Sequence, residues 1–468
     1  MSSRMAEISD ERRLFGTNGV RGVVNKELTL ELVLELSQAI GTFFKGGKMV
    51  VGCDGRTSSP ALRNLAMGGL ASVGCKVHDI GQAPTPMIDF MTRAWKAEGG
   101  IAVTASHNPP EYNGIKTIKS DGVETDREEE LQIEKIYFSR SWKRAEWDRV
   151  GDIVEETGAG LREYLDSIKK EVDIARIRSR NLKVVVDPGN GVSALTTPIL
   201  MSELGCKVIT INANIDGRFP GRFSEPRPDT IGSLMSLVKS SDADFGVALD
   251  GDGDRAIFVD ETGEAQWGDR SFALVADDYF STNPGHTIVT PVSCSRAIKE
   301  IADSRNGKIV WTKVGSVDVS HRMMDVGADL GGEENGGIFY APHIPVRDGS
   351  MAAALIANII AKAGQSLSEL LSLLPSYQLY KEKVPCPNHL KQQVLATLRE
   401  RTSKYNPETI DGVKVMFEDG TSVLLRPSGT EPIFRIMAEG KSADAARNVA
   451  DEYKSIIAKI IKEKNTDA

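Results

Sequence analysis

The densest group of chemistry-bearing residues in this 468-residue chain is Asp250-Gly251-Asp252-Gly253-Asp254-Arg255. Three carboxylates alternate with two glycines, and an arginine closes the run. Like charges a few ångströms apart repel by about 1 kcal/mol per pair in water, and by several times that at lower effective dielectric. A fold that keeps such a cluster needs a cation. The spacing lets all three carboxylates gather on one side of a tight loop, a ligand set suited to a hard divalent ion such as Mg²⁺. A divalent ion beside an arginine is the equipment of phosphoryl transfer. A calcium loop of the EF-hand type fits less well. Asp250, Asp252, Asp254 and Glu261 match its positions 1, 3, 5 and 12, but its glycine position holds Arg255. Its flanks should be helices, whereas residues 245–249 and 256–259 read as strands. A solvated Asp-Gly turn with no ligand is the other plain reading.

Four more polar loops could carry chemistry. Thr104-Ala-Ser-His-Asn-Pro-Pro110 follows the apolar run 100–103. Its small residues allow close approach to Ser106, a candidate nucleophile or phosphate carrier, and Asn108-Pro109 predicts a turn. A Ser-His-Asp triad is disfavoured: adjacent Ser106 and His107 rarely face each other, and no Gly-x-Ser-x-Gly elbow is present. In Gly331-Gly-Glu-Glu-Asn-Gly-Gly337, Glu333 and Asn335 could hydrogen-bond vicinal sugar hydroxyls, and the Glu333–Glu334 pair could favour an ammonium on the sugar. In Arg426-Pro-Ser-Gly-Thr-Glu-Pro432, Arg426, the Ser428 and Thr430 hydroxyls and the Gly429 amide could cradle a dianionic phosphate. Phe15-Gly-Thr-Asn-Gly-Val-Arg-Gly22 lacks the dinucleotide pattern and reads as a loop that places Arg21. Taken singly, each of these segments reads equally well as an ordinary turn.

The elements that must position these loops repeat weakly. A buried strand over 48–54, a helix over 60–72 and a strand over 73–79 are echoed by 183–187, 194–203 and 204–209. A third pass covers 287–291, 295–302 and 308–312. Alternating strands and helices imply right-handed crossovers and mixed, largely parallel sheets, hence three similar α/β domains. The remainder differs. A helix over 388–401, strands at 413–417, 423–425 and 433–437 around the Asp419-Gly420 hairpin signal, and a helix over 443–462 predict a small C-terminal α+β domain. The expected boundaries are 1–154, 155–257, 258–372 and 373–468, with 374–380 as the last linker.

Composition narrows the function. A net charge of −8 argues against generic nucleic-acid binding. No apolar run approaches 18 residues and the start lacks a signal-peptide core, so neither a membrane span nor a secretory leader is expected. The five cysteines and six histidines are scattered without metal-ligand or disulfide spacing, which fits a reducing cytoplasm.

The five loops, in order and spacing over essentially the whole chain, resemble the α-D-phosphohexomutase superfamily. Thr104-Ala-Ser-His-Asn-Pro109, Asp250-Gly-Asp-Gly-Asp-Arg255 and Arg426-Pro-Ser-Gly-Thr-Glu-Pro432 carry the resemblance. It implies four domains, three of them alike, and a phosphoserine at Ser106. It implies Mg²⁺ held by Ser106, Asp250, Asp252 and Asp254, with Arg255 and Arg21 assisting. It assigns sugar recognition to Glu333 and Asn335, and the phosphate to Arg426, Ser428, Gly429 and Thr430. The activity implied is interconversion of hexose 6- and 1-phosphates through a hexose 1,6-bisphosphate that also serves as activator. The Ser-Gly-Thr-Glu form of the last loop resembles glucosamine-type members, where glucose- and mannose-type members more often have Ser-Asn-Thr. One departure is clear: many members have Gly-Glu-x-Ser-Gly-His in the sugar loop, and here Asn335 and Gly337 stand for the serine and histidine. Proton transfer then falls to Lys116, which matches the family lysine, with His107 next. Partners are small hexose phosphates, with no nucleic acid and no membrane, and a homodimer is compatible with the resemblance. The rivals are a Mg²⁺-dependent phosphatase using an aspartate of the 250 loop, and a non-catalytic sugar-phosphate sensor.

Overall fold

The computed structural model describes residues 14–16, 18–428 and 431–466. Among the described residues four sheets follow one another. In the first, Gly99–Val103, Lys48–Cys53, Lys76–Gln82 and Ile153–Glu155 run parallel, in that spatial order. Tyr112–Lys119 and then Val20–Val23 add an antiparallel edge. The second sheet joins Lys183–Asp187 in parallel to Lys207–Thr210 and Phe245–Leu249, and extends antiparallel through Ala256–Asp260 and Ala265–Gln266. The third joins Thr287–Pro291 in parallel to Lys308–Thr312 and Leu330–Gly332, then antiparallel to Ile338–Tyr340 and Ile344–Arg347. The fourth is wholly antiparallel, in the order Gln378–Pro385, Ile433–Gly440, Ser422–Pro427, Val413–Met416.

The short Val-rich runs become parallel strands because both of their faces are covered. Along Lys48–Cys53, Met49, Val51 and Cys53 enter a core with Leu36, Ile40, Leu62 and Leu70 from two helices. The alternate Val50 faces the other way, among Ile88 and Met91. That second core does not stop at the first sheet. It continues through Tyr164, Val184, Phe245, Phe272, Ile288 and Met351, so one apolar interior fuses the three α/β units. Helix Gly349–Ala363 runs within it and is buried along nearly its whole length, as its apolar composition on all sides requires. The fourth unit has its own core, including Val394, Val415, Leu425, Ile436 and Ile457.

Several expectations shift. The echoed Gly-Cys-Lys motifs mark turns rather than strand starts: Gly74 and Gly205 have φ of +92° and +97° and end helices, and the strands begin at Lys76 and Lys207. The helix expected over 194–203 is a 3₁₀ turn, Val192–Leu195, followed by a helix from Thr197, where Pro198 fits only the first turn. Residues 378–380 are not linker but open a strand paired with Ile433–Gly440. The boundary expected at 257/258 cuts the strand Ala256–Asp260, since the second sheet runs to Gln266, and the one at 154/155 cuts Ile153–Glu155. Among the described residues no helix is long and apolar enough to cross a membrane.

The three α/β units meet in a buried polar knot. Tyr164 donates its hydroxyl to both Asp348 oxygens, at 2.9 and 2.8 Å. His343 stacks on Phe90 with ring centroids 5.1 Å apart and meets Asp348 at 3.1 Å and Ser167 at 2.9 Å. Asp348 also caps helix Gly349–Ala363, accepting from the Ser350 and Met351 amides. Asp348→Ala removes a cap and strands a buried hydroxyl and imidazole. The expected loss is on the order of 3 kcal/mol, read as a lower denaturant midpoint of the α/β body. Stability within about 0.5 kcal/mol of wild type, the range of an ordinary surface change, would show that the knot does not hold the units together.

Candidate active site

The serine loop is wrapped around one buried ion pair. Asp54, at the end of strand Lys48–Cys53, accepts from Arg56 Nε at 3.0 Å, the Thr104 hydroxyl at 2.7 Å and the Ser59 hydroxyl at 2.6 Å. Thus fixed, the Arg56 guanidinium donates to the carbonyls of Ser106 (2.8 Å), Asn108 (2.7 Å), Pro109 (2.5 Å) and Tyr112 (3.1 Å). Arg56 is fully buried and lies over the Phe219 ring. Ser106 has a left-handed backbone, φ +50°, which costs a non-glycine residue about 1–3 kcal/mol. The clamp, together with the Thr104 hydroxyl accepting from the Ser106 amide at 2.9 Å, over-determines it. The result is that Ser106 Oγ donates to Asp250 Oδ2 at 2.9 Å and sits 3.3 Å from His107 Nδ1.

The aspartate loop approaches from the second sheet. Asp250, Asp252 and Asp254 are buried, and each offers a carboxylate oxygen within 4.8 Å of the others. Both glycines are required by packing. A β-carbon on Gly251 would meet the Ser106 carbonyl at 2.7 Å, and Gly253 has φ +78° with Ser193 Oγ where its β-carbon would go. Arg222, paired to Asp187 at 2.7 Å, fastens the strand end by donating to the Leu249 carbonyl at 2.7 Å. The Thr85 hydroxyl donates to Asp252 at 2.8 Å.

Positive charge converges on this loop from neighbouring units. Lys116 Nζ lies 3.2 Å from Asp252, 3.4 Å from Asp254 and 3.3 Å from Glu124. Burial alone would lower its pKa, but these three carboxylates outweigh burial and hold it above the usual lysine range. Arg347 NH2 meets Asp254 at 2.5 Å. Burial, then Asp254 and Asp252, push the Asp250 carboxyl well up. Burial acts on Asp252 in the same direction but is overcome by Lys116, Thr85, Arg21 and Arg347, leaving it below the usual carboxylate range. Asp252 Oδ1 and Asp254 Oδ1 are buried without a hydrogen-bond partner. Orphaned carboxylate oxygens in a three-aspartate cluster fit a hard divalent cation.

Beside the cluster opens a cleft of 570 Å³ lined from all four units. Arg21, His107, Arg255, Glu333, Asn335 and Arg426 all face it, together with Arg347 and Arg435. Burial, with Arg255 and Arg21 nearby, pushes His107 down to about 2 and keeps it neutral. Arg426 and Arg435 stand directly opposite on adjacent antiparallel strands. Such like-charge pairs are destabilising unless an anion lies between or beside them. Asp411 lies 2.8 Å from Arg426 and Glu431 2.9 Å from Arg435. Lys391 holds the connecting loop, donating to the Ser428 and Glu431 carbonyls at 2.6 Å each.

The structure thus gathers Ser106, Lys116, Asp250, Asp252, Asp254 and Arg255 at one point and sets Arg21, His107, Glu333, Asn335 and Arg426 around the adjoining cleft. Ser428 is buried in its loop, its hydroxyl accepting from the Glu431 amide at 3.1 Å. Gly429 and Thr430 lie outside the described residues. Arg21 is carried not by a loop but by the strand Val20–Val23, in register with Gly114. Glu333 and Glu334 do not act as a pair: Glu333 turns to Arg347 and Glu334 to Lys381, 3.4 Å away. Sequence reading missed Arg56, Arg222, Arg347, Lys391 and Arg435. Only Arg435 left a signal, because the hairpin register sets it opposite Arg426.

Four consecutive segments match the phosphoglucomutase/phosphomannomutase family: α/β/α domain I at 12–144, domain II at 162–263, domain III at 267–377 and the C-terminal domain at 382–455. The chain belongs to this family of α-D-phosphohexomutases. It is 45% identical over 451 residues to a phosphoglucosamine/phosphogalactosamine mutase of Sulfurisphaera tokodaii, covering 95% of this chain and 99% of the relative. It is 43% identical over 458 residues to a phosphoglucomutase/phosphomannomutase of Thermococcus kodakarensis, with 96% and 99% covered. A crystal structure of a family protein from Burkholderia thailandensis superposes with a TM-score of 0.85 at 27% identity, covering 95% of this chain and 97% of that one. The phosphohexomutase fold and the gathered site together describe an isomerase that moves a phosphoryl group on hexose phosphates.

In this phosphohexomutase the Arg56 fork is what fixes the serine loop. Arg56→Lys keeps the charge but cannot reach four carbonyls and Asp54 at once. It is expected to lower kcat by about tenfold or more, roughly 1.4 kcal/mol of lost positioning, with a smaller proportional change in KM. Wild-type kcat would mean that the loop holds Ser106 without the clamp.

Proposed function

We propose that this phosphohexomutase interconverts glucosamine 6-phosphate and glucosamine 1-phosphate through phospho-Ser106. The observation that carries the reading is the 2.9 Å bond from the buried Ser106 hydroxyl to Asp250 within the aspartate triad. A phosphoryl group on that oxygen removes the bonding proton and sets a dianion against Asp250, which only a cation makes tolerable. Mg²⁺ on Asp250, Asp252, Asp254 and the phosphoserine fits the orphaned oxygens and, when bound, neutralises charge on the moving group.

The chain's own residues supply the rest. A sugar hydroxyl oxygen attacks the phosphorus of phospho-Ser106. The bond to Ser106 Oγ breaks and the serine oxygen leaves, while the hydroxyl proton passes to a protein group. The resulting hexose 1,6-bisphosphate turns over in the cleft and returns its other phosphoryl to Ser106. Arg21 and Arg255 offset charge at the serine end. Lys116, held charged by Asp252, Glu124 and Asp254, serves the proton transfer as a donor, while His107, kept neutral by burial, is the nearby group with a lone pair free to take the hydroxyl proton. Arg426 and Arg435, with the loop containing Ser428, Gly429 and Thr430, hold the phosphate that is not reacting. Glu333 and Asn335 take hydroxyls. The name of the Sulfurisphaera tokodaii relative and the Ser-Gly-Thr-Glu loop support the amino sugar, while that of the Thermococcus kodakarensis relative supports glucose and mannose phosphates.

Intact mass and peptide mapping should place one phosphoryl group, about 80 Da, on the peptide containing Ser106. Ser106→Ala and Asp252→Asn should each lose orders of magnitude in kcat with the fold retained, and chelator-treated protein should be inactive until Mg²⁺ is restored. Turnover by Ser106→Ala at the wild-type rate would overturn the phosphoserine scheme.

Glucosamine phosphate is expected to lead in kcat/KM over glucose and mannose phosphates by under about tenfold. Only Glu333 is placed to meet a 2-ammonium group, and one such contact contributes roughly 0–1 kcal/mol. A lead of about tenfold or more for glucose or mannose phosphate would assign the chain to those sugars and leave the mechanism standing.

A further inference from the structure

The scheme above gives no task to the side chain that joins its two halves. Arg347 ends the strand Ile344–Arg347 and is buried. One arm of its guanidinium lies 2.5 Å from Asp254 Oδ2 in the aspartate loop, and the other 3.2 Å from Glu333 Oε2 in the sugar loop. It takes one oxygen of Glu333 and leaves Oε1 as the acceptor for a ligand.

The stem of Arg347 matters as much as its charge. A β-carbon on Gly337 would lie 2.5 Å from Arg347 Cδ, 2.8 Å from Cγ and 3.1 Å from Glu333 Oε2. Contacts under 3.0 Å are essentially never made by real β-carbons. The φ of Gly337 lies outside the left-handed region, so its backbone would accept alanine. Occupied space, not conformation, keeps position 337 a glycine.

We propose that Arg347 is a positioning residue for the mutase reaction: it fixes Glu333 at the sugar face of the cleft and ties it to Asp254. It does so in the volume that a side chain at 337 would fill, so Gly337 and Arg347 work as a pair. The positioning half rests on the reading of Glu333 as a hydroxyl acceptor; the packing half rests on the distances alone.

A double-mutant cycle tests the packing half. G337A in the wild-type background should lower kcat/KM by about tenfold or more, because the new methyl displaces the arginine stem. In the R347A background, where Cγ and Cδ are gone, the same substitution should change kcat/KM by less than about twofold. Equal losses in both backgrounds, or no loss in either, overturn the pairing. The positioning half is tested with a panel of deoxyhexose phosphates. E333Q should erase wild-type discrimination against the analogue that lacks the hydroxyl Glu333 accepts. R347A should erase the same discrimination and raise KM more than it lowers kcat. R347K, which keeps the stem but loses the fork, should retain the G337A penalty and lose most of the discrimination; it decides the question if R347A does not fold. Discrimination that survives E333Q overturns the hydroxyl reading of Glu333 and leaves the cycle to judge the pairing by itself. Discrimination lost in E333Q but intact in R347A and R347K overturns the positioning role.

Discussion

Three carboxylates within 4.8 Å of one another, all withdrawn from water, set the terms for the molecule. At low effective dielectric their mutual repulsion is several kcal/mol per pair, and the loop's own cation, the Arg255 guanidinium, comes no nearer than 3.8 Å to Asp254. The compensation comes from elsewhere in the chain. Lys116 arrives on a strand of the first sheet and Arg347 on a strand of the third, while the aspartates sit between two strands of the second. A cluster neutralised from three units is stable only when those units are held in fixed relation. The shared apolar core and the Tyr164–Asp348–His343 knot provide that relation. The first amide of the helix capped by Asp348 donates to the Gly253 carbonyl, so the knot reaches the aspartate loop through the main chain.

Fixing charge also requires fixing backbone. Two arginines do this by donating to carbonyls: the buried Arg56 on the serine loop, and Arg222, whose side chain is covered, at the entry to the aspartate loop. Each is held by its own aspartate, Asp54 or Asp187, at the end of a parallel strand. The two half-sites are built alike, a strand-end carboxylate orienting a guanidinium that gathers carbonyls. The strained Ser106 and the glycine approach at Gly251 then let the halves come within one hydrogen bond of each other.

What was legible in the sequence follows from this construction. The aspartate run stood out by its crowded charge, whereas the serine and Arg426 loops, each an ordinary turn when taken singly, were readable through their order and spacing along the chain and the family resemblance these carry. The parallel strands 183–187, 287–291 and 308–312 were readable to the residue: the first two are apolar runs buried on both faces, and the third, at a sheet edge, is a β-branched and aromatic run. The clamps were not readable. Arg56 and Arg222 look like surface arginines in sequence, since only the fold brings to them the carbonyls they collect. Val20–Val23 was hidden because a four-residue edge strand preceded by Gly19 and interrupted by Gly22 has no periodicity of its own. The strand Gln378–Pro385 was hidden by its charge, with Lys381, Glu382 and Lys383 exposed or half-buried on an edge, where lysine and glutamate are favoured. The Glu333–Glu334 pair misled because adjacency in sequence says nothing about direction after a strand has ended.

The proposed reaction accounts for a cleft that is cationic at both ends and polar in the middle. On the proposed bisphosphate route the intermediate is received in two orientations, so each phosphate must be able to occupy either end. In the proposed scheme Arg21 and Arg255 lie at the end next to Ser106, and the opposed Arg426 and Arg435 at the other. The arginines at the far end are weakly spent, on Asp411 and Glu431, and the Arg435–Glu431 pair is at the surface, where such contacts contribute about 0–1 kcal/mol. A phosphate dianion therefore gains a charge-assisted fork at little cost in broken pairs. Between the ends, Glu333 and Asn335 line the cleft, where the proposed scheme puts a ring whose hydroxyls must be acceptable in both orientations. That requirement favours few and adaptable hydroxyl contacts over a close-fitting pocket. Phosphate recognition can be strong because it is the same at every stage of the cycle; sugar recognition must stay permissive because the sugar is the part that turns.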